Sequence, residues 1–227
     1  MNNLNQFVFG IYPYIALTIF LLGSLARFER EQYTWKSDSS QMLYQGQLRL
    51  GNILFHIGIL GLFFGHLVGL LTPVWVWDAL GVTHSLKQMV AIVAGGVMGA
   101  ICLIGLLILI QRRFTNARIS AVTRTGDKVL LLWILCSLLL GLATIFVSLQ
   151  HRDGEEMVQL MTWAQHVMTF RGDAASYMEN ASPIFKLHMF MGMTLFVIFP
   201  FTRLVHVWSG FASVTYLGRP WQLVRRR

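Results

Sequence analysis

Four histidines lie inside apolar stretches of this sequence, where an ionisable side chain needs a reason to be. His56 and His66 fall within the apolar run at residues 50–71, and His188 and His206 fall within a second run near the carboxyl end. An ionisable group in hydrocarbon is costly and is usually functional. Neutral imidazole is a good axial ligand of haem iron, and an apolar shell tunes the potential of such a centre. The residue type and its setting therefore indicate haem ligation, with hydrogen-bonded packing histidines as the alternative.

The spacing of the histidines predicts how they pair. At about 1.5 Å per residue, His56 and His66 lie about 15 Å apart along a helix, so they stand at different depths in a hydrocarbon core about 30 Å thick and cannot share one cofactor. His188 and His206 are separated by five turns, which puts both rings on one face and about 27 Å apart if the helix is straight. The second and fifth spans of a five-helix chain run in opposite directions. His66 therefore matches His188 in depth, and His56 matches His206.

Two level-matched pairs suit two bis-histidine haems of the b type. The difference between about 15 Å and about 27 Å must be absorbed by mutual helix tilt, by a kink at Pro200, or by inclined haem planes. Arg203 precedes His206 by three residues on the same face and could pair with a haem propionate. The alternative for Arg203 is a snorkelling side chain at the membrane edge. The absence of a Cys-x-x-Cys-His motif excludes covalent haem of the c type.

The elements that must position these residues are membrane helices. Of 227 residues, 55% are hydrophobic and only 12% are charged, which is the composition of an integral membrane protein. Alternating barrel-type segments are absent, and lipid tolerates no open sheet edge. The predicted fold class is an all-α integral membrane protein: a single domain over residues 1–227 that forms a five-helix transmembrane bundle. The predicted spans are residues 7–26, 50–71, 88–110, 129–149 and 184–209, followed by a tail at residues 210–227.

The basic residues predict the orientation. Of 18 lysines and arginines, 14 fall in the loop after the first span, the loop after the third span, or the end of the chain. The positive-inside rule makes that face cytoplasmic, so the amino terminus is expected outside, in the periplasm, and the carboxyl terminus in the cytoplasm. The net charge of +8 thus requires no nucleic-acid partner, and the basic tail is expected to meet anionic lipid or a cytoplasmic protein.

The connection between the fourth and fifth spans is long, and part of it has helical periodicity. Apolar side chains recur at helical spacing after the acidic pair Glu155 and Glu156, namely Met157, Leu160, Met161, Ala164 and Met168. This pattern predicts an amphipathic helix along the outer membrane surface. Two interpretations remain open: an ordinary interfacial helix, or a lid over a lateral pocket.

A series of short motifs carries a family resemblance over essentially the whole chain. In order, they are IYPYIA (11–16), QYTW (32–35), SSQML (39–43), NILFHIGILG (52–61), GH (65–66), LTP (71–73), AGG (94–96), CLIG (102–105), GMTLF (192–196) and QLVR (222–225). With these motifs in this order, the sequence resembles the gamma subunit of bacterial respiratory nitrate reductase, a membrane cytochrome b. The resemblance implies that His66 and His188 ligate the haem distal from the catalytic subunits. His56 and His206 would then ligate the proximal haem.

The resemblance also implies a quinol site beside the distal haem, which includes Gly65, His66 and Lys87. Lys87 stands immediately before the third span, at a height comparable with that of His66, where an ammonium group could donate to a quinol oxygen. The alternative for Lys87 is an interfacial lysine with its head in water.

By this resemblance the chain would sit in the bacterial inner membrane and anchor an iron–sulfur beta subunit and a molybdenum-containing alpha subunit on the cytoplasmic face. Membrane quinol would supply electrons, which two b haems would pass inward for nitrate reduction. One alternative is the cytochrome b subunit of another quinone-linked complex, of the formate dehydrogenase or hydrogenase type. Another is a haem-free membrane anchor or a transporter that uses buried histidines as proton relays.

Overall fold

The structure is a computed structural model that describes residues 3–31, 34–35, 46–150 and 153–209. Within these ranges the regular structure is helical throughout, without a strand. Five of the described helices are long and apolar enough to span a membrane: Asn3–Arg30, Gly46–Leu71, His84–Thr115, Thr125–Gln150 and Pro183–Phe201. These helices confirm the predicted all-α, five-span fold class. The predicted tail, residues 210–227, lies outside the described ranges.

Large apolar side chains cover the outside of the bundle, as expected for helices in lipid. Examples are Phe63, Phe64 and Phe146, which are 52%, 54% and 70% exposed. In water such a surface would favour aggregation, whereas hydrocarbon solvates it. The packed interior is correspondingly sparse along the spans.

The first span contains a local irregularity next to a proline. It comprises α1 (Asn3–Gln6), a π-helical turn (Phe7–Ile11) and α2 (Tyr12–Glu31). Pro13 has no N–H to donate to the preceding turn, and a π turn is one way for a helix to accommodate that loss. The first span is therefore irregular next to Pro13, in the form of a widened turn just before it.

The second and third spans form the closest helix pair of the bundle. They are α3 (Gly46–Leu71) and α5 (His84–Thr115), with the short helix α4 (Val74–Ala79) between them. A Cβ added at Gly58 would collide with the backbone of Cys102, and one added at Gly105 would collide with the backbone of Phe55. Small residues allow backbones to approach in this way in membrane bundles. The approach fixes α3, which carries two of the four histidines, against α5.

The fourth span, α7 (Thr125–Gln150), follows the short helix α6 (Ala117–Val122). After it, the chain makes a left-handed turn at Gly154, with φ of 83°, where a Cβ would lie 2.9 Å from atoms of His84. Only glycine suits both the backbone conformation and the close contact. This turn starts α8 (Glu155–Met168) over the end of the bundle at which α5 begins, which we call the Lys87 end.

The α8 helix agrees with the predicted amphipathic segment, but its apolar face is covered by protein. Its buried side chains are Leu160, Met161, Trp163, Ala164 and Val167, whereas the predicted stripe member Met168 is 52% exposed. Trp163 Nε1 donates to Phe9 O at 2.9 Å, and both residues belong to one core cluster. The helix therefore closes the Lys87 end of the bundle. The apolar face of α8 thus packs on protein rather than on lipid, and the lid over a lateral pocket stays a prediction.

The last span, predicted over residues 184–209, is interrupted at Pro200, where the sequence predicts a kink. The helix α9 (Pro183–Ile198) is followed by two 3₁₀ turns, Phe199–Phe201 and Arg203–Val205, and residues 206–209 are again helical. The cause is Pro200, which cannot donate a backbone hydrogen bond and clashes with a preceding helical turn. Thr202 then takes an extended conformation, with φ of −119° and ψ of 179°. We call this interruption the Pro200 break.

Candidate functional site

The structure brings the four helical histidines together as two pairs of imidazole rings. The ring centres of His66 and His188 are 6.1 Å apart, with an interplanar angle of 45°. Those of His56 and His206 are 6.2 Å apart, with an interplanar angle of 71°. Each pair joins α3 to the last span, and the partners are those that the spacing in the sequence predicts. The second pair lies toward the Pro200 break, at what we call the Arg203 end of the bundle.

Both separations fit one metal ion between two rings. On each side of one ion, a metal–imidazole nitrogen bond of about 2.0 Å and about 1.2 Å from ring nitrogen to ring centre add up, so the two ring centres lie about 6.4 Å apart. Among the described residues no three histidine, cysteine or acidic side chains cluster as a metal site. Each pair therefore suits a centre in which the cofactor supplies the remaining ligands, as a porphyrin does for axially ligated iron.

The backbone selects the tautomer of all four rings. Each Nδ1 lies at hydrogen-bond distance from a main-chain carbonyl: His56 from Asn52 O at 2.8 Å, His66 from Leu62 O at 2.7 Å, His188 from Ser137 O at 3.0 Å and His206 from Arg203 O at 2.6 Å. A carbonyl oxygen can only accept, so the proton must reside on Nδ1. Nε2 is left with its lone pair, which is the usual arrangement of a metal-ligating histidine.

The ring of His188 lies directly against the backbone of α7 at Gly141. A Cβ added at Gly141 would stand 2.8 Å from His188 Cε1 and 3.3 Å from its Nε2. Because Gly141 has no side chain, it leaves the space that the His188 ring occupies. Sequence reasoning missed this role because a glycine in an apolar span does not indicate which residue of another helix it faces.

Arg203 has an acidic neighbour that the sequence did not predict. Its Nε lies 3.3 Å from Asp127 Oδ1 at the start of α7, and Arg113 Nη1 lies 3.8 Å from the other carboxylate oxygen. These side chains are only 13–19% exposed. Arg203 is thus tied to α7 by an ion pair close to the backbone that orients His206. Its predicted contact with a haem propionate stays a prediction.

The Lys87 side chain is buried, at 7% exposure, near the start of α5. Its Nζ donates to Gly69 O at 3.2 Å, lies 2.7 Å from Met161 Sδ, and stands 4.5 Å from the centre of the Trp77 ring. A cation above an aromatic face is stabilised by the ring quadrupole. The ammonium group is therefore held by α3, α4 and α8 rather than extended into water, which is the opposite of the snorkelling alternative.

Gly65 lies one turn before Gly69 on α3, beside His66. A Cβ added at Gly65 would meet no described atom within 4 Å, and both Gly65 and His66 are exposed. The surface of α3 is therefore open at the point where its histidine faces His188. Gln165 of α8 closes the end of α3 above this opening, because its Nε2 donates to Leu70 O at 3.2 Å and to Thr72 O at 3.1 Å.

A further pair of titratable groups lies outside these sites. His166 Nδ1 donates to Asp173 Oδ1 at 2.8 Å, and the His166 ring packs edge-on against Tyr177. The hydrogen bond from His166 lowers the pKa of the Asp173 carboxyl below its ordinary value. The His166 side chain is only 12% exposed. The pair joins the end of α8 to the following 3₁₀ turn, Ala174–Met178.

Comparison with known proteins agrees with this architecture. Residues 5–227 match the family model described as nitrate reductase gamma subunit. The chain is 48% identical over 227 residues to respiratory nitrate reductase 1 gamma chain of Escherichia coli, with 100% of each chain covered. It is 48% identical over 224 residues to respiratory nitrate reductase 2 gamma chain of the same organism, and the match covers 99% of this chain and 98% of that relative. It is 36% identical over 222 residues to nitrate reductase gamma chain of Bacillus subtilis, covering 98% of each.

These matches span the length of the chain and include all five apolar helices, which together identify a multi-pass inner-membrane protein. The chain belongs to the nitrate reductase gamma subunit family.

Proposed function

We propose that this chain is the quinol-oxidising, di-haem cytochrome b subunit of a respiratory nitrate reductase. It would oxidise membrane quinol and pass the electrons through two b haems toward the site of nitrate reduction. The observation that carries the proposal is the presence of two facing pairs of imidazole rings, with ring centres 6.1 Å apart in one pair and 6.2 Å apart in the other. In each pair the Nδ1 atoms are engaged by carbonyls and Nε2 is available for iron.

In this proposal His66 and His188 hold the distal haem, and His56 and His206 hold the proximal haem. When bound, b-type haem supplies reversible one-electron transfer. The chain's own residues fix the geometry: main-chain carbonyls lock each tautomer, and the glycine of α7 makes room for the ring of His188. Arg203, already tied to α7 beside the proximal pair, would contact a propionate of that haem.

The quinol site would lie at the Lys87 end, beside the distal haem, and would include Gly65, His66 and Lys87. The open surface at Gly65 admits a planar ring next to the histidine pair. The Lys87 ammonium, steadied by Trp77 and by a carbonyl of α3, would donate a hydrogen bond to a quinol oxygen. This interaction would orient the ring for oxidation and favour loss of its protons.

The orientation follows from the distribution of charge. With 14 of 18 cations on one face, the amino terminus would be periplasmic and the carboxyl terminus cytoplasmic. Protons from quinol would leave at the periplasmic face while electrons travel inward, so that charge is separated across the membrane. A gamma subunit implies further subunits, and we propose an iron–sulfur beta subunit and a molybdenum-containing alpha subunit on the basic cytoplasmic face.

Single histidine substitutions test the proposal in the intact complex. We expect His66→Ala and His188→Ala to remove the same haem signal from a reduced-minus-oxidised spectrum. His56→Ala and His206→Ala should remove the other signal. When the His56/His206 haem is lost, the remaining His66/His188 haem should still be reduced by quinol. When the His66/His188 haem is lost, the remaining His56/His206 haem should still be reoxidised by nitrate.

Two results would contradict the proposal. Pairing in the crossed sense would refute the assignment of ligands. A wild-type complex without two b-type signals would support a haem-free anchor or a transporter. Nitrate-dependent reoxidation of the reduced haems distinguishes a quinol-oxidising subunit from one that delivers electrons to quinone.

A further inference from the structure

The Pro200 break leaves main-chain carbonyls without the partners that a continuous helix would provide. Where a helix stops, its last carbonyl groups lose their intrahelical donors and need others, because an unsatisfied carbonyl in an apolar setting is costly. Pro200 O and Thr202 O are two such groups, on either side of the point at which the chain becomes extended. The donor for both comes from the first span.

Arg27, near the end of α2, is that donor. Its Nη1 carries two hydrogens and donates one to Pro200 O at 2.7 Å and the other to Thr202 O at 2.8 Å. Its Nε donates to Thr34 Oγ1 at 3.1 Å, and its Nη2 donates to Thr34 O at 3.2 Å. The planar guanidinium thus joins α2, the loop residue Thr34 and the break through charge-assisted hydrogen bonds. Such bonds are about twice as strong as neutral ones.

The neighbouring residues of α2 pack against the same break. A Cβ added at Gly23 would lie 2.8 Å from Pro200 Cγ, so the glycine allows the proline ring to seat against the helix. Phe20 packs edge-on against Phe199, with ring centres 4.8 Å apart. Trp208 Nε1, beyond the break, donates to Ser24 Oγ at 3.3 Å. Phe20, Gly23, Ser24 and Arg27 follow one helical face, which is therefore shaped to receive an interrupted partner.

The break determines whether His206 can reach His56. On α3 the two histidines are about 15 Å apart along the axis, whereas a straight last span would separate His188 and His206 by about 27 Å. Both pairs nevertheless have ring centres about 6 Å apart, so the last span must be redirected between its two histidines. The redirected segment includes Arg203, whose carbonyl accepts the hydrogen bond of His206 Nδ1 at 2.6 Å.

We infer that Arg27 is a positioning residue for the His56 and His206 pair. It holds the carbonyls of Pro200 and Thr202, and through them it fixes the backbone that orients the ring of His206. The ion pair of Arg203 with Asp127 secures the same segment from the side of α7. The inference rests on the proposed function only in that the pair is taken to hold a haem. It adds a residue of the first span, which contributes no axial ligand, to the support of the proximal site.

The test compares three variants of the intact membrane complex. Arg27→Gln removes the charge and the fork of donors, whereas Arg27→Lys keeps the charge but not the fork. Arg30→Gln, one turn further along α2 and exposed, removes the same charge from the same helix and serves as the matched control. The readouts are the optical redox titration of each haem and the rate at which each haem transfers to an excess of apomyoglobin.

Loss of an outer-shell partner typically weakens a metal site about 10- to 100-fold, so we expect Arg27→Gln to release the His56/His206 haem at least about 10-fold faster. The potential of that haem should also shift, while the His66/His188 haem keeps its potential and release rate. Arg27→Lys should give an intermediate effect, and Arg30→Gln none. Gly23→Ala, which pushes on Pro200 from another position, should disturb the same haem.

The inference is overturned if Arg27→Gln leaves the proximal haem unaltered, or if both haems are lost to the same extent, since Arg27 would then serve only general folding. A selective effect of Arg27→Lys on the proximal haem would retain the inference even if the glutamine variant fails to accumulate. No selective effect in any variant would overturn it. A wild-type complex without two haems would instead refute the proposed function, which is a distinguishable result.

Discussion

Substituting Gly141 by alanine should displace His188, the proposed axial ligand of the distal haem, and leave the rest of the bundle intact. The added Cβ would stand 2.8 Å from His188 Cε1, whereas carbon atoms in contact normally lie about 3.5–4.0 Å apart. The ring must therefore retreat by roughly 1 Å, or α7 and α9 must separate by that distance. Gly141 has no left-handed backbone conformation, so the backbone itself accepts alanine. In a helix interior, alanine is otherwise more stabilising than glycine by about 0.5–1 kcal/mol.

The magnitude follows from the geometry of ligation. A metal–imidazole bond is about 2.0 Å long, so a displacement of about 1 Å breaks the bond rather than stretching it. Overpacking of this kind costs about 1–3 kcal/mol, which corresponds to a roughly 5- to 150-fold shift against the ligated state. We therefore expect a substantial fraction of the distal haem to change from six-coordinate, low-spin iron to a five-coordinate, high-spin form.

Electron paramagnetic resonance and optical redox titration of the membrane-bound complex provide the assay. Gly96→Ala is the matched control, because a Cβ there would meet Ile145 Cδ1 at 3.6 Å, which is ordinary van der Waals contact. Gly141→Ala should convert the His66/His188 signal, and Gly96→Ala should leave it low-spin. A low-spin distal signal of unaltered potential in Gly141→Ala would show that the His188 ring does not occupy this position against α7. A change confined to the other haem would contradict the pairing as well.

Three further predictions concern the two ends of the bundle. Lys87→Ala should keep both haems and keep electron transfer from artificial cytoplasmic donors to nitrate, but should strongly slow haem reduction by quinol; an unaltered rate and unaltered inhibitor binding would make Lys87 a purely structural residue. Deleting residues 217–227, which lie outside the described ranges, should release the cytoplasmic subunits from membranes while both haems persist, and full retention would exclude the tail as a principal contact. Asp173→Asn should speed hydrogen exchange in residues 166–178 at neutral pH. Because the hydrogen bond from His166 lowers the pKa of Asp173, its stabilising effect is fully present above the ordinary carboxyl pKa of about 4 and is lost as the pH falls through the lowered value. Exchange rates of wild type and Asp173→Asn should converge below that pH, and a difference that persists there would contradict this origin.

The sequence predicts the spans and the histidine pairing because both depend on local properties. Five apolar segments of membrane length give five helices, and a fixed rise per residue relates position to depth. The residue type indicates haem ligation, because ionisable side chains in hydrocarbon are costly and are usually functional. The pairing of His66 with His188 and of His56 with His206 therefore needs only the count of residues and the alternation of directions.

The sequence does not predict contacts that depend on how the helices pack. Arg27 donates a hydrogen bond to a carbonyl 173 residues away. From the sequence, a basic residue near the end of the first span indicates only one of the cations expected at the cytoplasmic face. An amphipathic stripe looks the same whether its apolar face meets lipid or protein, so the burial of Met161 against Lys87 could not be foreseen. Gly141 faces His188 only because α7 and α9 adopt a particular rotation. Each of these contacts joins elements far apart in the chain.

The Pro200 break explains why regular helices alone would not build both histidine pairs. Straight second and last spans that match His66 with His188 would leave His206 about 12 Å beyond His56 along the axis. The Pro200 break removes this excess at the Arg203 end, and Arg27 supplies the donors that a broken helix lacks.

At the Lys87 end the corresponding support comes from α8. Gln165 donates to the carbonyls at the end of α3, and Met161 and Trp77 enclose Lys87. A segment that contributes no ligand thus packs at each end of the bundle: the first span at the Arg203 end and α8 at the Lys87 end. Because these segments are separate, a change in α2 should alter only the pair near Arg203, and a change in α8 should alter only the pair near Lys87. Independent responses of the two haems to such changes are what this arrangement requires, whereas a bundle held by uniform packing would transmit either change to both.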